Sequence, residues 1–302
     1  MRITRRSFVA GAAAGMAAGG LLPRRAMAEM MLGEARLTVV SDGNLMLPGS
    51  FTFAGLPEAE VAEIVAPLGV STEALEPPCN VTLLRMDDRV VLFDVGAGPD
   101  FMPSAGELAE NLGAAGVAPE DVTDVIFTHA HPDHIWGLLD DFDEPLFPDA
   151  RYAMGRGEWD YWWNPETVDT IGAERQAFAV GAKRRMEAIE DRVEFFDDGD
   201  EVLPGVAAVA CVGHTPGHMG FEVRSGGEAV MVVGDAIGNH HVAFARPGWE
   251  VNSDQNPEVG ATTRVALMDR IVADGLGLVG FHLPGGMGRV EKDGEGYRWV
   301  AM

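Results

Sequence analysis

The stretch His129-Ala130-His131-Pro132-Asp133-His134 sets three imidazoles and a carboxylate within six residues. Such groups are costly to bury unless they are paired or hold a cation. Imidazole nitrogen and carboxylate oxygen suit Zn²⁺, and equally Mn²⁺, Co²⁺ or Fe²⁺. Two histidines one residue apart can aim at one ion, while Asp133 and His134, carried round the next turn, can aim at a second. The elements that must hold them are legible on either side. Asp124-Val125-Ile126-Phe127-Thr128 is apolar and partly β-branched, which predicts a buried strand, and Ile135-Trp136-Gly137-Leu138-Leu139 predicts the start of a helix. The cluster therefore occupies a strand-to-helix turn at the end of a sheet, where open α/β folds place their sites.

Three later pieces extend the pattern: Cys211-Val212-Gly213-His214-Thr215-Pro216-Gly217-His218, Val230-Met231-Val232-Val233-Gly234-Asp235, and Val279-Gly280-Phe281-His282-Leu283-Pro284. With His-x-His-x-Asp-His, this order resembles the metallo-β-lactamase-fold hydrolases. The resemblance covers most of the chain and implies two divalent ions. One would be held by His129, His131 and His218, and the other by Asp133, His134 and His282, with Asp235 bridging. It also implies an α/β fold, a four-layer αββα sandwich built from two similar halves.

The chain carries signs of both halves. Val81–Met86 and Val90–Asp94 flank Asp87-Asp88-Arg89, while Gly220–Arg224 and Ala229–Val233 flank Ser225-Gly226-Gly227-Glu228. Each hairpin-like pair runs into a Gly/Asp segment, Asp94–Gly98 in one and Gly234–Gly238 in the other. Helices are expected over Pro57–Val65, Ala105–Gly116, Ala173–Arg192 and Pro257–Ala273, where Pro and Gly punctuate the ends.

Two cations roughly 3.5–4 Å apart can share a hydroxide at neutral pH, so no Ser or Cys nucleophile is required. Asp133, a ligand with one oxygen near the site, is the candidate to shuttle a proton to the leaving group. Asp94 reads as a buried, hydrogen-bonded support rather than a ligand, and His214 as a structural residue of its loop in preference to one that orients the site. His240 and His241 read as loop histidines that either face the pocket or lie exposed. Thr215-Pro216-Gly217 shapes a turn in which Pro fixes φ and Gly admits a close approach of the backbone.

Thr4-Arg5-Arg6-Ser7-Phe8-Val9 is a twin-arginine pattern, followed by an Ala/Gly-rich apolar stretch and the small-x-small site Ala26-Met27-Ala28. Residues 1–28 thus read as a cleaved export signal, giving a periplasmic or secreted protein without a stable membrane anchor. Residues 29–302 are expected to form the hydrolase domain. The formal charge of −25 becomes −30 once the five arginines of residues 1–28, which include no acid, are removed. Such a surface repels phosphate backbones, which argues against a nucleic-acid partner. Cys79 and Cys211 each border a buried strand and read as small apolar residues rather than as a disulfide.

Phe51 and Phe53, and Trp159 and Trp162 in the run Trp159-Asp160-Tyr161-Trp162-Trp163, are candidates for an apolar wall over the metals. Core packing of a helix is the competing reading for the tryptophans, and burial in a homodimer interface is another. An apolar pocket on an acidic protein suits a small, neutral, hydrophobic substrate. Within the family, Asp235 resembles the lactonase, thioesterase and methyl-parathion-hydrolase-like groups, and β-lactamases usually lack it. The expected reaction is lactone opening, with N-acyl homoserine lactones first. Hydrolysis of an aryl ester or an organophosphate triester is the alternative. A non-catalytic metal-binding protein would use the same ligands but needs no such pocket.

Overall fold

A computed structural model describes residues 28–302; apart from Ala28, the expected export segment lies outside the described residues. Two seven-stranded sheets form the centre. The first runs in the order Glu29–Leu32, Ala35–Asn44, Pro78–Met86, Arg89–Phe93, Asp124–Phe127, Arg151–Gly155, Val193–Phe196. The second runs Glu201–Leu203, Val206–Ala210, Met219–Ser225, Glu228–Val232, Gly277–Val279, Met287–Asp293, Gly296–Ala301. The expected hairpins are present, with Leu83 opposite Leu92 in one half and Val223 opposite Val230 in the other. Each hairpin is extended by a parallel strand, Asp124–Phe127 in the first half and Gly277–Val279 in the second. The halves therefore repeat one unit, and the residues that leave its strand ends are Asp94 and His129 in one copy, Asp235 and His282 in the other.

Alternation along these strands sorts side chains to two faces. Leu37, Leu84, Val91, Phe93, Phe221, Val223, Val230 and Val232 point between the sheets, with the Phe93 and Phe221 rings 5.2 Å apart across the interface. Each such side chain contributes about 1.5–3 kcal/mol when fully buried, so this layer is what joins the halves. On the outer face of the first sheet, Leu83, Leu92, Val125 and Phe127 pack with Leu112, Ile135, Trp162 and Met186 from flanking helices. On the second, Met231 and Leu278 pack with Leu267, Met268 and Ile271 of the helix Pro257–Asp274. The result is the αββα sandwich that the resemblance implied.

That long helix begins where the Asn256 side chain accepts from the Val259 N–H at 3.2 Å, and it ends at Gly275 in the left-handed region at φ 66°. Two expected helices are shorter than their patterns. The first spans Leu108–Ala114, because Gly106 sits at φ 88° and the Leu108 N–H donates to the Asp42 carboxylate at 2.8 Å. The second spans Gln176–Glu187. Cys79 and Cys211 are free and buried, one in the core outside each sheet. Among the described residues, no helix is long and apolar enough to cross a membrane.

Candidate metal centre

The two parallel strands end side by side at one edge of the sandwich, and every candidate ligand comes from a turn at that edge. Two groups of donor atoms form there. His129, His131 and His214 make one, and Asp133, His134, Asp235 and His282 the other, with the donor atoms of each group within 4.8 Å of one another. In the first group His131 Nδ1 lies 3.1 Å from His129 Nε2 and 2.9 Å from His214 Nε2. In the second, Asp133 Oδ2 is 3.2 Å from His282 Nε2, and Asp235 Oδ1 is 3.2 Å from His134 Nε2. Asp235 joins the two, because its Oδ2 stands 3.3 Å from both His214 Nε2 and His282 Nε2.

The outer nitrogens decide the tautomers, and thereby where the lone pairs point. His134 Nδ1–H donates to Asp94 Oδ2 at 2.8 Å, and His282 Nδ1–H to the Pro78 carbonyl at 2.8 Å. His214 Nδ1–H donates to Asp254 Oδ1 at 3.2 Å. The Thr128 hydroxyl donates to Asp94 at 2.7 Å, so its oxygen is free to accept from His129 Nδ1–H at 3.0 Å. In each of these rings the outer nitrogen is engaged and Nε2 is turned inward. His131 reverses the arrangement: Nδ1 points inward and Nε2 faces the Gln255 side-chain amide at 3.3 Å.

This donor set fits a pair of divalent cations. Burial, reinforced by the neighbouring imidazoles, holds His129 and His131 well below the usual histidine range, so both stay neutral as metal ligation requires. The second group calls for positive charge at its centre. Burial alone would depress His134 and His282, yet the carboxylates of Asp235 and Asp133 prevail; they hold His134 well above its usual range and push His282 up to about 10. Asp133 Oδ2, His134 Nε2 and Asp235 Oδ1 are buried and make no hydrogen bond, as expected of atoms that a cation would satisfy.

One expected ligand is replaced. The resemblance assigned the third imidazole of the first group to His218, but the loop places His214 there. Cys211 N–H donates to the His218 carbonyl at 2.9 Å, which closes the loop at its base and leaves His214 near its tip. His218 Nε2 instead accepts the Asp235 backbone N–H at 3.0 Å, so its lone pair is already used beneath the Asp235 turn. Reading His214 as merely structural was therefore wrong about its position, and the two histidines exchange roles.

An apolar cavity of about 400 Å³ opens on both groups and is lined by His131, Asp133, His214, Asp235 and His282 at its floor. Phe51 and Phe53 line its wall, with Leu45, Leu47 and Phe178. Trp159 and Trp162 do not line it. They sit on the helix Arg156–Trp163, at 6% and 1% exposure, in the core between that helix and the first sheet. Trp162 lies behind His131, ring centroids 5.6 Å apart. His241 is buried and lines the cavity beside Phe53, at 5.6 Å between ring centroids, whereas His240 is half-buried.

Asp94 is the expected buried support. Two other supports escaped the sequence reading. Asp254 holds His214 and is itself held by Arg264 at 3.1 Å, both side chains being 2% exposed. Glu158 is fully buried between the first-group loops. Neither lies in the ligand motifs, and the only signal was an acid in a polar run before a capped helix and another inside an aromatic one.

Comparison with known proteins agrees with this arrangement. Residues 75–279 match the metallo-beta-lactamase superfamily. A probable metallo-hydrolase of Mycobacterium tuberculosis is 27% identical over 219 residues, covering 56% of this chain and 66% of that protein. The N-acyl homoserine lactonase AttM of Azorhizobium caulinodans is 31% identical over 112 residues, 37% of this chain and 39% of its own. The solved structure of AbOPH, a hydrolase in the beta lactamase superfamily, has a TM-score of 0.85 at 27% identity, covering 91% of this chain and 97% of that one. The dizinc quorum-quenching lactonase AidC has a TM-score of 0.86 at 23% identity over 91% of this chain and 97% of its own, a likeness of fold. With the match spanning strands of both halves and every donor residue except His282, which follows it directly, the chain belongs to the metallo-beta-lactamase superfamily.

Proposed function

We propose that this metal-dependent hydrolase opens the ring of a lactone bearing an apolar tail, with N-acyl homoserine lactones as the best single substrate class. One observation carries the reading: a cavity walled by Phe51, Phe53, Leu45 and Leu47 ends on a floor made of both metal groups. A neutral acyl chain gains by leaving water along that wall, while a polyanionic substrate would meet the carboxylates of Asp133 and Asp235. The similarity to AttM, named an N-acyl homoserine lactonase, supports the same class.

His129, His131 and His214 would hold one cation, and Asp133, His134 and His282 the other, with Asp235 between them. Zinc is the first choice and Mn²⁺, Co²⁺ or Fe²⁺ also suit these ligands. When bound, such ions supply Lewis acidity towards a carbonyl and an activated water near neutral pH. The chain's own residues do the rest. The aromatic wall excludes bulk water and fixes the tail, which orients the ring over the floor. Asp133, with one oxygen facing His282 and the cavity, is placed to take a proton and return it to the departing oxygen. Asp133→Asn with both metals retained should lose most of kcat; full turnover in that variant would remove the role.

The deciding experiment is turnover by the metal-loaded protein of a long-chain N-acyl homoserine lactone, with an aryl ester and methyl paraoxon at equal enzyme concentration. Lactone kcat/KM of about 10⁴ M⁻¹s⁻¹ or more, within the common enzyme range, supports the proposal. Negligible lactone turnover with ester or phosphotriester cleavage replaces it by the second reading, which the same neutral, apolar wall would serve. Export through the twin-arginine route is part of the proposal and rests on Thr4–Val9 and Ala26-Met27-Ala28. Cell fractionation of the full chain should find the shortened protein outside the cytoplasm, and Lys at positions 5 and 6 should retain it inside.

A further inference from the structure

Glu158 is a carboxylate with no exposed surface and, among the described residues, no cationic partner in its hydrogen bonds. Its four hydrogen bonds all come from neutral donors. Oε1 accepts the Ala130 N–H at 2.9 Å and Trp162 Nε1–H at 2.6 Å. Oε2 accepts the Thr215 hydroxyl at 2.7 Å and the Gly217 N–H at 3.1 Å. Burying a carboxylate without a countercharge is unfavourable, so this one is kept by the donors it satisfies. The identity of the donors supplies the reason. Ala130 stands between His129 and His131; Thr215 follows His214; Trp162 backs His131.

The geometry of the two loops has been cut to admit this one side chain. A Cβ on Gly217 would lie 2.0 Å from the Glu158 nitrogen, so only glycine lets the His214 loop close on the start of the helix. The second group is held otherwise, by Asp94 at His134 and by the Pro78 carbonyl at His282, and among the described residues none of Glu158's hydrogen bonds goes to its members.

We propose that Glu158 is a positioning residue that clips the His129–His131 turn to the His214 loop, and so sets the spacing of the first metal group without contributing to the second. The proposal rests on the dinuclear reading of the site. Four donors converging on two oxygens hold the loops together only while both oxygens accept. Glutamine presents an NH₂ to one pair of donors and so loses the bond from either the Ala130 N–H or the Gly217 N–H, which loosens that loop.

The test is metal titration of the folded full-length protein, with Zn²⁺ and then Co²⁺ against a competing chelator. Wild type is compared with Glu158→Gln and the milder Thr215→Val. We expect two equivalents in wild type. In Glu158→Gln one equivalent should weaken by about 10–100-fold, the usual effect of losing an outer support, while the other keeps its affinity. Thr215→Val should weaken the same equivalent by a smaller factor, which keeps the proposal testable if Glu158→Gln does not fold. A general loss of stability would weaken both equivalents together, and that result, or unchanged affinities in the variants, overturns the proposal. Fewer than two equivalents in wild type overturns the dinuclear reading itself and the clip with it.

Discussion

Exchanging the roles of His214 and His218 makes a sharp prediction, because the two residues share one loop and differ in what their ring nitrogens face. His214→Ala removes an inward Nε2 that stands 2.9 Å from His131 Nδ1 and 3.3 Å from Asp235 Oδ2. The first group is left with two imidazoles. The loss of metal affinity should exceed the roughly 10–100-fold seen when only an outer support is removed, so the purified variant should carry one equivalent of metal. His218→Ala acts elsewhere. It leaves the Asp235 N–H buried and unpaired, at a cost of about 1–3 kcal/mol, and opens a hole in place of a fully buried ring, for roughly 2 kcal/mol more. The metal-free protein should therefore lose about 3–5 kcal/mol in urea denaturation, combining those two estimates. His218→Gln, which can still accept from Asp235, should recover part of that and bind two equivalents at saturating metal. Elemental analysis after desalting, with unfolding curves on the same samples, reads both effects. One equivalent in His218→Gln beside two in His214→Ala would refute the assignment.

Other expectations follow from the supports and the cavity. Asp254→Asn should weaken one metal equivalent by about 10–100-fold by loosening His214. Arg264→Met should instead destabilise the fold by about 3–5 kcal/mol, because it strands a buried carboxylate, and the double variant should regain much of that loss in urea denaturation. Phe51→Ala and Phe53→Ala should raise KM for a long-chain lactone by about tenfold each, close to the worth of an aromatic contact surface, with little change for a short-chain one; equal effects on both chain lengths would remove the wall from the argument. Asp42 gives a pH test. Burial, only partly offset by N–H donors from Ala97 and Leu108, pushes its pKa up to about 6. A carboxyl raised in the folded state stabilises below its unfolded value and loses that contribution as pH climbs to its folded one. A rise of about two units is worth about 3 kcal/mol, so the stability of metal-free Asp42→Asn relative to wild type should climb by about that amount from roughly pH 4 to pH 7. A flat difference across that range would show that Asp42 titrates normally.

Much of this protein was legible from its chain because the signals are local. His129 to His134 are covalent neighbours on one turn, so their convergence needs only a strand before and a helix after. The hairpins around Asp87-Asp88-Arg89 and Ser225-Gly226-Gly227-Glu228, and the capped helix Pro257–Asp274, likewise depend on alternation, turn residues and caps that travel with the segment. The remote ligands Asp235 and His282 could be found because each follows an apolar strand in the order that the family resemblance implies. What tertiary structure decided was direction. His214 and His218 are both imidazoles on one loop, and its folded contacts, the Cys211 N–H on the His218 carbonyl and Asp254 on His214 among them, turn the first towards the other donor atoms and the second beneath Asp235. The tryptophans of Arg156–Trp163 have the composition of a pocket wall, yet the helix packs on the first sheet and buries them. Glu158 gains its meaning from Ala130, 28 residues away in its own half, and from Thr215 and Gly217, 57 and 59 residues away in the other, and Asp254 from His214, 40 residues away, on segments that only the folded chain brings together. Residue type and spacing specify which groups can do the chemistry; which way each one faces is set by contacts that no stretch of sequence contains.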